Sequence, residues 1–313
     1  MNSIWFDVLA RCLMFSMLAV AANLVLGIAG QMTLAMAAFF GIGAYTAAIL
    51  TIDHDAGFVT ASVAAIAVSA AIGALLALPT MRVRGEYVVL LTLAFLSVAN
   101  QMESSWIGLT GGATGKFPVP PLSLFGYRPV RPVDFVPILA VALAAMVAIG
   151  LLVAASPYGR SLKALRDDHV AARAHGVDAF AHQLSVFTLS SGLAGFVGAL
   201  WAHYFAFITP SAFDLEQTIF IAAIVVLGGV GNMAGSIVAA FVLVSLPQVL
   251  RTVEIGSDRS AQIQQIAYGL LLIGFMVFRP QGLLREPIGR PPRFAGDLAP
   301  PTRTDPTHRA ESG

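Results

Sequence analysis

Side chains able to do chemistry are few in this chain, and none falls in a catalytic spacing. The six histidines, His54, His169, His175, His182, His203 and His308, include no pair four residues apart, which a two-histidine zinc site on one helix face would need. His175 and His182 are seven apart and could share a face, but Gly176 interrupts the stretch between them. Cys12 is the only cysteine, so an intramolecular disulfide and any CxxC metal or redox site are excluded. The phosphate loop GxxxxGK[ST], HExxH and GxSxG do not occur. The expectation is a chain with no catalytic residue, no metal and no cofactor.

What remains is the chemistry of passage. Ionisable groups within apolar stretches are functional candidates by default; here they are Asp7, Arg11 and Glu103. All three stand near the ends of those stretches, where a side chain can snorkel to the interface. The interfacial reading is the expectation for each. A proton- or sodium-coupled carrier needs a carboxylate at the midplane, and none stands there. Uncharged polar residues in the stretches include Asn23, Gln31, Thr33, Thr92, Asn100, Ser190 and Ser191. Their ordinary use is helix packing. Gln31 and Asn100 point further towards a lumen, because a primary amide facing lipid leaves donors and acceptors unpaired. Gln31, Thr33, Thr92 and Asn100, with Gly228, Gly229 and Gly231, are the candidate pathway residues.

The elements that must carry these residues follow from composition. Of 313 residues, 57% are hydrophobic and 11% charged, with a mean hydropathy of +0.80. Soluble domains carry about 25% charged residues, so a cytosolic enzyme, a disordered chain and a nucleic-acid binder are excluded. A polytopic all-α membrane helix bundle in contact with membrane lipid remains. Apolar stretches long enough to span, about 20 residues each, are 8–28, 31–51, 58–78, 87–107, 135–155 and 184–205, with a shorter one at 263–278. Residues 1–281 form the membrane domain. The Pro/Arg-rich tail 282–313 is expected to be disordered. No basic region precedes the first apolar stretch, so no cleaved signal peptide is expected.

Loop charges set the orientation. Arg82, Arg84, Arg160, Lys163, Arg166, Arg173 and the tail arginines from Arg279 to Arg309 fall on one side, against Lys116, Arg128, Arg131, Arg251 and Arg259 on the other. The first set is assigned to the cytoplasm. With the tail inside, residues 218–250 must cross twice or not at all, which predicts two short passes meeting at a glycine break near 228–235 and about 8–9 spans in total. The glycine-rich runs 29–44 and 227–235 have a faint similarity, the mark of a repeat with a broken helix near the pathway.

The informative polar segment is SPYGRSLKALRDDHVAARAHGV, residues 156–177. Leu162, Leu165, His169 and Ala172 recur at helical spacing, with Arg160, Lys163, Arg166, Asp167 and Arg173 on the other faces and Gly176 at the end. One short amphipathic helix is predicted, lying on the bilayer or docked in a partner's groove. Neither Leu165 nor Arg166 lies in a span, so Leu165→Asp and Arg166→Glu are expected to leave the bundle folded.

Four stretches together resemble the branched-chain amino-acid ABC transporter permeases, in their LivM-type subunit: GQMTLAMAAFFGIGAY (30–45); RGEYVVLLTLAF (84–95) with TGGATG (110–115); the 156–177 segment; and VLGGVG (226–231) with FRPQGLL (278–284). They cover most of residues 21–284. The resemblance implies half of the translocation pathway of an ATP-driven importer in the bacterial inner membrane. It implies a second permease subunit as heterodimer partner, two cytoplasmic ATPase subunits, and a periplasmic protein delivering a hydrophobic amino acid. It also implies that residues 156–181 are the ATPase-coupling loop, carrying Arg160, Leu162, Lys163, Leu165, Arg166, Asp167, Ala171, Ala172, Arg173 and Gly176. Two departures stand out: Ala35-Met36 where the family usually reads Gly-His, and Ala113-Thr114 where it often reads Pro-Asn. The competing class is a stand-alone carrier or channel for small amino acids, amides or urea, with Glu103 as the group it would depend on.

Overall fold

In hydrocarbon every backbone N–H and C=O must be satisfied within its own segment, and the apolar stretches accordingly form helices. The computed structural model describes residues 2–83, 86–122, 129, 131–252 and 269. Apart from residue 269, the expected span 263–278 lies outside the described residues, as do the FRPQGLL motif, the tail, Arg84, Arg128 and Arg259. Eleven α-helices are described: α1 (Asn2–Asn23), α2 (Met36–Asp53), α3 (Phe58–Thr80), α4 (Glu86–Ser105), α5 (Ile107–Thr110), α6 (Pro132–Ala155), α7 (Pro157–Asp167), α8 (His169–Ala174), α9 (Ala179–Phe205), α10 (Leu215–Gly228) and α11 (Met233–Thr252). Seven helical stretches are long and apolar enough to cross a membrane, and Met233–Gln248 is a shorter apolar one.

Polar residues set the helix boundaries. Pro132 opens α6 at a position where its missing N–H costs nothing, and the Asp134 carboxylate accepts from Arg131 N at 3.3 Å. Asp178 caps α9 by accepting from Ala181 N at 3.2 Å, which starts the helix five residues before the expected 184. Asp214 caps α10 through Gln217 N at 3.1 Å.

The expected span 31–51 begins late. Residues 29–35 are irregular, and α2 starts at Met36. Side chains take up the freed backbone donors: Thr92 Oγ1 accepts from Leu34 N at 3.0 Å, Thr33 Oγ1 from Ala35 N at 3.2 Å, and Thr218 Oγ1 from Ala37 N at 3.3 Å. The polar Gln31 and Thr33 and the left-handed Gly30 lie in the stretch that stays irregular.

Helices α2, α3 and α9 form the tightest part of the bundle, through small residues that let backbones meet. A Cβ on Gly43 would lie 2.2 Å from Gly195 O, and one on Gly198 2.2 Å from Phe40 O. Around this seam an aromatic cluster fills the interior: Phe40 stands edge-to-face to Phe213 at 4.9 Å and to Trp201 at 5.4 Å, and Phe15 to Phe220 at 5.1 Å. Helix α1 is buried for most of its length, wrapped by α6, α9, α10 and α11. Helices α3, α4 and α6 expose apolar side chains such as Val63, Leu75, Leu90, Val141 and Leu152.

One end of the bundle is tied by polar contacts. The Tyr204 hydroxyl donates to Asp7 at 2.8 Å, Lys116 pairs with Asp53, and residues 116 and 208 exchange backbone hydrogen bonds at 3.1 and 3.2 Å. The segment α7–α8 lies at the opposite end, so the N-terminal end of α1 is on the side away from it.

Candidate functional site

Two interruptions of regular helix meet near the α7–α8 end. In the first, α1 widens after Asn23 into a π-helical turn, Leu24–Ile28, where Ala29 N bonds Leu24 O at 3.1 Å and Gln31 N bonds Val25 O at 3.0 Å. The second is the turn between α10 and α11, where Gly231 has φ +89°, a conformation that glycine adopts without a Cβ clash. A Cβ on Gly27 would lie 2.4 Å from Gly231 N. Asn23 joins the two breaks: its Oδ1 accepts from Gly231 N at 2.8 Å, and its Nδ2 donates to Ser236 Oγ at 2.8 Å. Gly228 packs against Ser236, where a Cβ would meet backbone at 2.4 Å. The glycine break predicted near 228–235 is thus a tight turn between two packed helices.

The candidate pathway residues divide into two groups. Gln31 and Thr33 lie in the irregular residues 29–35, and Thr92 bonds to Leu34 there; Gly27, shortly before that stretch, meets the turn holding Gly228, Gly229 and Gly231. Asn100 is elsewhere: its Nδ2 donates to Pro210 O at 2.9 Å, near the end that carries Lys116 and Ile208. Neither unusual pair of the family motifs is alike in setting. Ala35 and Met36 are buried in the core, with the Ser190 hydroxyl 3.8 Å from the Met36 sulfur, whereas Ala113 and Thr114 are exposed.

The segment 156–177 differs from the single helix predicted for it. Ser156 caps α7 by accepting from Gly159 N at 3.1 Å. Asp168 then ends it and caps α8, its Oδ1 accepting from Val170 N and Ala171 N at 2.9 Å each. Those two N–H groups hold the Asp168 carboxyl below its ordinary pKa. Sequence spacing could not reveal this break, since Asp168 is compatible with a helix interior and becomes a cap only when the chain turns there. Tyr158 anchors α7 to α9: its hydroxyl donates to His182 O at 2.9 Å, and its ring stacks on that of His182 at 5.0 Å. Burial pushes the hydroxyl's pKa up.

The apolar stripe is turned inward, which corrects the expectation that it is offered to a groove outside. Leu162, Leu165 and Ala172 are buried, and Leu162 belongs to the main hydrophobic core. Leu165→Asp therefore places a carboxylate without a partner in an apolar contact. We expect a loss of about 3 kcal/mol or more in stability, read as a lowered unfolding midpoint of the detergent-solubilised protein, where the sequence alone argues for none.

Arg166 also faces inward. Its Nη1 donates to Gly27 O at 2.6 Å, and its stem fills the place of a side chain at Gly30, where a Cβ would lie 2.3 Å from Arg166 Cγ. Gly30 has φ +68°, so glycine is needed twice over. Arg166 also meets Asp167 at 3.3 Å. The exposed surface is made instead by Arg160, Asp167, Ala171, Arg173 and Gly176, with Val170 79% and Phe180 51% exposed. Beside it a cavity of about 410 Å³ is lined by Met81, His169, Arg173, Gly176, Asp178 and Phe180, among others.

Glu103 is not the interfacial residue it was expected to be: only 5% of it is exposed. It stands near the end of α4, yet its side chain turns onto α2 rather than towards water. The sequence carried one weak signal, Gly41, since only the absence of a side chain there admits the carboxylate.

A polytopic helix bundle with unwound, glycine-lined breaks meeting inside it, and a polar segment joined to those breaks, is built as a membrane transport protein. The chain belongs to the family of branched-chain amino acid transport system permease components, whose model matches residues 4–278. The high-affinity branched-chain amino acid transport system permease proteins LivM of Salmonella typhimurium and of Escherichia coli are each 33% identical to it over 310 residues, covering 91% of this chain and 70% of theirs. The autoinducer 2 import system permease protein LsrC of Klebsiella pneumoniae is 29% identical over 153 residues, covering 47% of this chain and 43% of its own. No solved structure matches the chain.

Proposed function

We propose that this chain is one of two permease subunits of an ATP-driven importer of branched-chain or similarly hydrophobic amino acids, in the bacterial inner membrane. The observation that carries the reading is family membership along nearly the whole chain, with high-affinity branched-chain permeases as relatives at 33% identity. A second permease subunit completes the pathway, two ATPases bind on the cytoplasmic side, and a periplasmic protein delivers the solute. The chain itself hydrolyses nothing. ATP binding needs a glycine-rich phosphate cradle with a lysine, and the sequence has none.

The α7–α8 segment is the ATPase-coupling surface, and its cytoplasmic placement agrees with the arginines there and in the tail. An ATPase seats on the exposed Val170, Ala171 and Phe180 and the adjoining cavity, with Arg160 and Arg173 pairing with acidic groups at its rim. Arg166 lies behind that surface and carries its movement to Gly27. From there the Asn23 bridge reaches Gly231, so the pathway candidates Gln31, Thr33, Thr92, Gly228, Gly229 and Gly231 lie around the part that moves. The C-terminus is cytoplasmic, and the N-terminal end of α1, away from the α7–α8 end, is periplasmic.

The test is reconstitution. The chain with its partner permease, the ATPases and the binding protein, in proteoliposomes, should take up leucine, isoleucine or valine only with ATP inside the compartment that the ATPases face. The chain alone should show no ATP hydrolysis and no uptake driven by a proton or sodium gradient. Gradient-driven uptake by the isolated chain, abolished by Glu103→Gln, would establish the carrier reading in its place.

A further inference from the structure

Among the described residues Glu103 has no partner. Both carboxylate oxygens are buried without a hydrogen bond, and no ion pair reaches them among the described residues. The carboxylate lies against α2, where a Cβ on Gly41 would stand 2.6 Å from Oε1 and 2.9 Å from Phe213 Cγ. One turn along the same face of α2 is Tyr45, whose ring is 6.0 Å from that of Phe213. Its hydroxyl is likewise buried with no partner. Three orphaned oxygens thus gather between α2, α4 and the turn Pro210–Phe213. That turn is held in place by Asn100, one helical turn before Glu103, through its bond to Pro210 O.

An uncompensated carboxylate inside a membrane protein is costly, and a fold retains one where a ligand repays it. A cationic ligand suits the site, because it holds Glu103 in its carboxylate form and is met by acceptor oxygens. A primary ammonium has three N–H donors, which matches two carboxylate oxygens and one phenol oxygen, and the faces of Phe213 and Tyr45 add cation–π attraction. We infer that Glu103 and Tyr45 form a subsite for the ammonium group of the transported amino acid. The inference rests on the importer reading, and it places the subsite near the end of the bundle opposite α7–α8, where solute enters if that segment is cytoplasmic. Apolar walls would then face the hydrophobic side chain while Glu103 selects for the amine.

The test uses the complete transporter in proteoliposomes, with leucine as the probe. Glu103→Gln should assemble and keep its unfolding midpoint or raise it, because the amide fills the same volume and never has to carry a charge in the apolar site. Hydrolysis of ATP stimulated by the loaded binding protein should persist, while leucine uptake falls about tenfold or more. Tyr45→Phe should lower uptake by a smaller factor, and Glu103→Asp should lie between Gln and the parent. Unchanged uptake in both Glu103→Gln and Tyr45→Phe overturns the subsite and leaves the importer reading intact. Failure of the parent transporter to move any amino acid overturns the importer reading itself. If uptake depends on sodium or potassium concentration in the parent and loses that dependence in Glu103→Gln, the site holds an inorganic cation, and the ammonium assignment is wrong.

Discussion

Arg166→Ala should leave the transporter assembled and hydrolysing ATP while solute uptake falls about tenfold or more, the effect of losing a charge-assisted hydrogen bond worth roughly 1.5–3 kcal/mol. The guanidinium satisfies Gly27 O at the end of the π-helical turn, where a helix leaves carbonyls unpaired and favours a cation. Its stem is wedged against Gly30, so in the proposed coupling a shift of α7 would be passed directly to the first break, which Asn23 joins to Gly231 at 2.8 Å. Arg166→Lys should recover part of the uptake, with a single donor group on a different stem. Gly30→Ala should imitate the loss, because a Cβ there meets Arg166 and the positive φ is strained. Arg173→Glu, on the exposed surface, should act differently by reducing capture of the ATPase subunits in a pull-down. If Arg166→Ala loses those subunits while Arg173→Glu keeps them, the roles assigned to the two arginines are reversed.

The largest expected effect on stability comes from the α2–α3–α9 seam. Gly195→Val would set a Cβ 2.3 Å from Ser69 Oγ and 2.8 Å from Ala65 O, and Gly43 presses on the same peptide from α2. Backbone cannot yield as a flexible side chain does, so the helices must separate, at a cost of about 3 kcal/mol or more. In a bundle held together by close packing rather than by a hydrophobic driving force, that loss should appear as aggregation on size-exclusion chromatography and a sharply lower unfolding midpoint. Gly57→Ala is the control: no atom lies within 4 Å of a Cβ there, its φ is −65°, and the midpoint should not move. Equal midpoints for Gly195→Val and the parent would mean that the seam is not as close as described.

By itself the sequence determined what depends on one-dimensional physics. Lipid demands long apolar stretches, so the helix predicted at 58–78 appears as Phe58–Thr80 and the one at 135–155 as Pro132–Ala155. The glycines after Leu227 marked a break, and the chain turns there between α10 and α11. The motif set was sufficient to indicate the family, because such motifs are read without knowing where they sit. Tertiary structure alone decided which way side chains face. The spacing of Leu162, Leu165 and Ala172 defines a stripe but not its partner; in the folded chain all three are buried, Leu162 in the main core. Arg166 looked like one basic residue among several until Gly27 O lay within reach. Glu103 read as a snorkelling residue because its position along α4 is near an end, yet burial depends on what α2 and residues 210–213 bring to that point. Period and composition describe a helix one at a time; contacts between residues 139 or 208 apart in the chain, such as Arg166 with Gly27 and Gly231 with Asn23, exist only once the helices have packed.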